Sequence, residues 1–165
     1  MSRKNTYSLI LLVLLLTACT AESRKEQLVR QEEAIEAYIQ RKIDSGEVNA
    51  DSVFYNGGVY RLVYLSGVGG EAASGDSVIF HYKASIFNTT RYYDSTYQHY
   101  PERGILGAGH YMSGLEKGLV GMQKNEEAEI LLTGEQAYGN AGMGILPTYS
   151  SVKFEIKMLN VVKNH

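Results

Sequence analysis

Along the chain the apolar positions change period. From Glu22 to Glu47 the run is rich in Glu, Arg, Lys and Gln, and Leu28, Ile35, Ile39 and Ile43 recur at helical spacing, with Gly46 as the stop. Beyond Asp44 β-prone runs take over. Residues 59–65, VYRLVYL, form one such run, and residues 77–87, SVIFHYKASIF, alternate apolar with polar or small residues as a half-buried strand does. The turn-rich SGVGGEAASGD lies between them. Tyr92-Tyr93 predicts a short edge element and residues 127–132 a further strand. In the last strand Val152, Phe154, Ile156 and Met158 take one face, and Lys153, Glu155 and Lys157 the other. Residues 115–120 are the single helical candidate inside this region. The pattern therefore predicts an α+β domain, mostly antiparallel sheet with one short helix, preceded by a helical extension.

The first residues read MSRKNTYSLILLVLLLTACT, with Arg3 and Lys4 ahead of an apolar run from Leu9 to Leu16. This is an export signal whose apolar centre is too short to span a membrane as a stable helix. Leu16-Thr17-Ala18-Cys19 resembles the bacterial lipobox, which implies cleavage before Cys19 and lipidation of that cysteine. The division that follows is 1–18 as lipoprotein signal peptide, 19–50 as lipid-attached helical extension or tether, and 51–165 as the folded domain. Acyl chains anchor at roughly 0.8 kcal/mol per buried CH₂, so the membrane would be engaged through the N-terminal lipid. Thr20 in place of Asp after the cysteine points, by analogy, to the outer membrane, facing periplasm or cell surface. A soluble exported protein and a retained anchor are the alternatives. The helical stretch reads as a solvated spacer packed lightly on the domain, or as a pairing helix for a partner or a second copy. The oligomeric state is left open.

Composition removes several classes of function. A net charge of −2 over 165 residues does not suit a nucleic-acid surface, and a 44% hydrophobic fraction supplies one ordinary core. One cysteine allows no intrachain disulfide and no Cys-rich metal site. The four histidines stand apart with no HExxH, so neither a metal nor another cofactor is expected. No GxSxG elbow occurs, and GVGGEAASG lacks the Lys-Ser/Thr ending of a phosphate loop. The 13 tyrosines suit amphipathic sheet packing, with a polymer-binding stripe as the alternative. What remains is a site that works without metal, nucleotide or nucleophile.

The order of motifs carries a resemblance. GDSVIFHY at 75–82, YYDST at 92–96, LGAGHYMSGLEKGLVGM at 106–122, AYGNAGMGILP at 137–147 and SVKFEIKMLNV at 151–161 are similar to those of the FKBP-type peptidyl-prolyl cis-trans isomerases. The resemblance implies an FKBP-like, strongly bent antiparallel β-sheet wrapped around one short α-helix, with an apolar gap between them for a proline-containing segment. It implies isomerisation of Xaa-Pro bonds in exported or envelope proteins through a twisted amide, with no covalent step and no acid or base.

Carried over by position, the resemblance makes Asp94, Tyr138 and Met112 the catalytic set. Asp94 would face the prolyl amide, the Tyr138 hydroxyl would point inward, and the Met112 N–H would hold a substrate carbonyl. Tyr82, Tyr93, Tyr111, Leu115, Ile145 and Phe154 would bind the substrate, with Leu115 as the floor. Gly114, Gly118 and Gly121 would let the short helix turn tightly and approach the sheet. Other roles stay open: Tyr82, Tyr111 and Phe154 as core fillers, and Asp94 as the cap of the Ser95-Thr96 turn. The chain also departs from the family pattern. Leu115 stands where tryptophan is common, Glu102 where phenylalanine follows the proline, Thr148 where a second proline is usual, and Asn88-Thr89-Thr90 where Asp-Gly is usual. An arginine near residues 97–100 is missing, so Asp94 lacks its usual neighbour. These changes leave a non-catalytic FKBP-like binding or assembly module of the envelope as the alternative function.

Overall fold

The computed structural model describes residues 3–164, with side chains from Arg24 onward. The side chain of Cys19 and those of the expected signal segment lie outside the described residues. The chain begins with α1 (Arg3–Asp44). It ends where the sequence places its stop: the Gly46 N–H donates to the Ile43 carbonyl at 2.9 Å, and Gly46 takes a left-handed φ of 73°.

Seven strands follow, β1 (Val53–Tyr55), β2 (Val59–Leu65), β3 (Ser77–Ile86), β4 (Tyr92–Ser95), β5 (Glu102–Ile105), β6 (Glu127–Leu132) and β7 (Val152–Val162), with α2 (Ser113–Leu119) between β5 and β6. All pairings are antiparallel, in the order β1-β2-β6-β7-β3-β4. β5 shares the remaining edge of β3 with β4: it pairs residues 77–80, and β4 pairs residues 83–85.

Register divides the side chains between two faces. The pairs Val59↔Leu132, Arg61↔Ile130, Ile130↔Phe154 and Ala128↔Ile156 put these residues on the face that α2 covers. There they join Val78, Phe80, Ala84, Leu115, Leu119, Met122, Val152 and Met158 in the main core. On the opposite face Tyr60, Leu62 and Leu131 pack against Ile35 and Ile39 of α1 and against Val48. Ile35 is 0% exposed, so the helical stripe of the extension is a packed layer. Covering both faces also explains why Val59–Leu62 is buried without alternation.

The sheet corrects one expectation. It wraps around α2, but it is open and not strongly bent. β1 and β4 end it as separate edges, and the β3–β7 ladder runs from Ser77↔Val162 to Ile86↔Val152 with one register shift, at Ile79/Phe80. Ordinary strand twist and a few bulges supply the curvature. With only three residues, β1 is too short to close the sheet, and a helix lying on the outer face favours a shallow surface.

Two contacts fix α2. At Gly118 a Cβ would stand 2.6 Å from a methyl of Ile130, so the close approach to β6 requires glycine. At the C-terminus the buried Arg61 guanidinium donates from Nη1 to the carbonyls of Gly118 (3.1 Å) and Val120 (2.6 Å), meeting acceptors that the helix cannot satisfy itself. Its Nε lies 3.6 Å from the buried Glu126 carboxylate.

Candidate active site

β3 supplies the wall. Because β-strand side chains alternate, Phe80, Tyr82 and Ala84 all point to the α2 side. The Phe80 ring is fully buried and lies 6.1 Å from Tyr82 and, edge on, 5.5 Å from Tyr111. Tyr82 meets Phe154 of β7 edge on at 5.8 Å. Leu115 joins the same cluster from α2 and is 5% exposed. Tyr82, Tyr93, Tyr111, Met112 and Tyr138 pack against the cluster while remaining partly exposed. The result is an apolar cluster with partly exposed phenol groups around it.

Polar atoms at the rim come in pairs. Register Ala84↔Asp94 brings Asp94 to the face of Tyr82, and the Tyr82 hydroxyl donates to Asp94 Oδ2 at 2.6 Å. The other carboxylate oxygen, Oδ1, accepts the Ser95 N–H at 2.8 Å. Asp94 thus makes both the turn contact and a pocket-side contact. The hydroxyls of Tyr93 and Tyr138 lie 3.5 Å apart. Met112 is the N-cap residue of α2, and its carbonyl accepts the Glu116 N–H at 3.0 Å.

Tyr111 lies against Gly104 of β5, where a Cβ would collide with the phenol. Its hydroxyl is buried without a hydrogen-bond partner among the described residues. Of the residues expected to bind substrate, Ile145 alone falls outside the cluster: it is 71% exposed in the loop before β7.

Burial pushes all four rim phenols upward. Tyr111 rises to about 12, through burial first and then the charges of Glu102 and Glu116. Tyr82 is raised by burial, by its hydrogen bond to Asp94 and by the charges of Asp94 and Glu102. Tyr93 is raised by burial and by its hydrogen bond to Tyr138, and Tyr138 by burial. These groups stay protonated well above neutral pH and offer donors rather than bases. Among the described residues no group of three His, Cys, Asp or Glu side chains is placed to hold a metal, and no helix is long and apolar enough to cross a membrane.

Sequence reasoning passed over Phe80, the ring that joins Tyr82 to Tyr111, and Gly104, the platform for Tyr111. The alternation of Val78, Phe80 and Tyr82 carries a signal for the first. Nothing local in Glu102-Arg103-Gly104-Ile105 signals the second.

Comparison with known proteins decides the family. The sequence profile of the FKBP-type peptidyl-prolyl cis-trans isomerases matches residues 69–159. The chain belongs to this family. Its FKBP region is 32% identical over 93 residues to FK506-binding protein 2A of Rhizopus delemar, covering 55% of this chain and 56% of that one. It is 30% identical over 96 residues to FK506-binding protein 2 of Candida glabrata, covering 57% and 71%. The FKBP-type chain thus spans little more than half the length of the Rhizopus relative. In fold it is similar to FkpA from Escherichia coli, with a TM-score of 0.65 at 19% identity, covering 100% of this chain and 75% of that one. The N-terminal domain of FKBP42 from Arabidopsis thaliana gives 0.63 at 20% identity, covering 67% and 92%.

Proposed function

We propose that the chain is a peptidyl-prolyl cis-trans isomerase acting on Xaa-Pro bonds of exported or envelope proteins, held at the membrane by a lipid on Cys19. The observation that carries the reading is the Tyr82–Asp94 hydrogen bond beside the Tyr93–Tyr138 hydroxyl pair, at the rim of an apolar cluster that includes Leu115 and Phe154. Family membership supports it. The tether and the division at residue 18 rest on the lipobox resemblance, and the division at residue 50 on the change of apolar period after Asp44.

Rotation about a peptide bond meets a barrier of about 18–20 kcal/mol, because resonance makes the C–N bond partly double. A twisted amide loses that resonance. Its nitrogen becomes pyramidal and more basic while its carbonyl oxygen loses charge, so the twisted amide is less charge-separated, and apolar surroundings that exclude water favour it over the planar ground state. Proline is the natural substrate because its cis form lies only about 0.5–1 kcal/mol above trans. In this scheme Tyr93, Tyr111, Leu115 and Phe154 enclose the prolyl ring, while Tyr82 orients the Asp94 carboxylate beside the reacting amide. The Tyr138 hydroxyl and the Met112 N–H, at the open end of α2, hold flanking carbonyls. These dipoles are already in place, so they need no reorganisation as the amide twists.

A second reading, a non-catalytic binding module, draws on two observations: Ile145 stands in solvent, and a carboxylate, Glu102, occupies the β5 side of the rim. Refolding of a protein whose slow phase is a native cis-proline separates the two readings. Substoichiometric amounts of the isomerase speed that phase, which otherwise takes about 10–100 s. A binding module leaves its rate unchanged or slows it in proportion to the amount added.

A further inference from the structure

The segment between β6 and β7 carries both Tyr138 and Ile145, and its two ends meet at a narrow neck. A Cβ on Gly134 would run into the Tyr149 carbonyl. The Gly139 N–H donates to Gly134 O at 2.9 Å, and the Tyr149 N–H donates to Gly139 O at 2.8 Å. Tyr149 itself takes a left-handed φ of 55°, uncommon for a bulky residue. Such a backbone is kept only where its surroundings hold it.

The holding contact comes from α1. The Gln31 side-chain amide reaches both ends of the neck: its Oε1 accepts the Gly134 N–H at 2.9 Å, and its Nε2 donates to the Tyr149 carbonyl at 2.6 Å. Two turns earlier the Arg24 guanidinium lies 5.5 Å over the Tyr149 ring. One turn later Ile35 fixes the helix in the outer core. A primary amide accepts from one backbone group and donates to another with a single planar head, which an ionised carboxylate, an acceptor only, or an alkyl group at residue 31 cannot do.

We propose that Gln31 is a positioning residue that closes the neck of residues 134–149 and thereby sets the place of Tyr138 at the proline site. This rests on the isomerase reading, and it makes the N-terminal helix part of the working site. A helix otherwise suited to a tether bonds simultaneously to both ends of the segment that carries a catalytic hydroxyl.

The test uses the full-length chain with Gln31→Ala and Gln31→Glu, and Glu33→Ala as an exposed control on the same helix. Site-resolved amide exchange, the Tyr138 ring resonances, and kcat and KM on an Xaa-Pro peptide are read together. In both Gln31 variants exchange at Gly134, Gly139 and Tyr149 rises about tenfold, the scale of one or two lost hydrogen bonds, while β3 and β7 amides keep their protection. The Tyr138 resonances shift and kcat falls about tenfold with KM nearly unchanged, the pattern of a group that acts in the transition state. The control matches the wild type. Unchanged exchange at the neck overturns the proposal, as does protection lost equally in β3 and β7, or a loosened neck with kcat and the Tyr138 resonances unmoved. If the wild type shows no turnover, the isomerase reading fails, and the exchange and Tyr138 data still decide whether Gln31 holds the segment.

Discussion

Two carboxylates set the character of the rim at the residue scale. Asp94 is opposite Ala84 and Glu102 is opposite Phe80, and cross-strand partners share a face, so both belong to the side that holds the apolar cluster. Glu102 is close enough to raise both Tyr82 and Tyr111. A rim of this sign favours Xaa-Pro peptides with Lys or Arg near the proline over the same peptides with Glu. The preference at low salt is about two- to fivefold for a partly exposed charge, and it shrinks as salt is raised. Glu102→Gln removes most of it while turnover of neutral peptides persists. Competition between basic and acidic peptides in an exchange assay checks this, and equal rates in the wild type would sink it.

Among the elements, α2 shows how one small residue places a site. Its approach to β6 depends on Gly118, so Gly118→Ala drives a methyl against Ile130 and costs about 1–3 kcal/mol by overpacking. Because Leu115 rides on the same helix, substrate binding weakens along with stability. Urea unfolding of the variant measures the cost, and an unchanged midpoint would mean that the helix has room to shift. The elements also differ in how far they were legible. β3 and β7 announced themselves because one face is core and the other polar. β2 lost its alternation to burial on both sides, and β5 carries Glu102 and Gly104 with no strand signature. The stripe of Ile35 and Ile39 foretold a helix face, but nothing in it named the sheet it covers. Curvature was hidden for a different reason: periodicity assigns faces, while bend depends on twist, bulges and what lies on the outer surface. The tyrosines and Asp94 proposed for the site came from motif order. Gln31 did not, because one amide in a run of charged residues gives no sign of backbone partners 103 and 118 positions away.

For the molecule as a whole, the tyrosines tie stability to alkaline pH. Tyr82, Tyr93, Tyr111 and Tyr138 on one face and Tyr38, Tyr60 and Tyr64 on the other are all raised, with burial the largest cause. A folded value above the unfolded one favours the protonated, folded form. The stabilisation is therefore complete below the unfolded tyrosine value of about 10 and is lost as pH rises through the folded values. The thermal midpoint should fall steadily above about pH 10. Tyrosinate absorbance should then grow together with unfolding, and full ionisation near pH 10 with the fold intact would contradict that. The central claim is the chemistry at the apolar cluster, and NMR exchange spectroscopy on short Xaa-Pro peptides tests it most directly, with Asp94→Asn and Tyr138→Phe beside the wild type. The account predicts accelerated cis-trans exchange by the wild type and loss of most of that acceleration in each folded variant. No acceleration by a folded wild type across several residues before proline, or full activity in both variants, would contradict it.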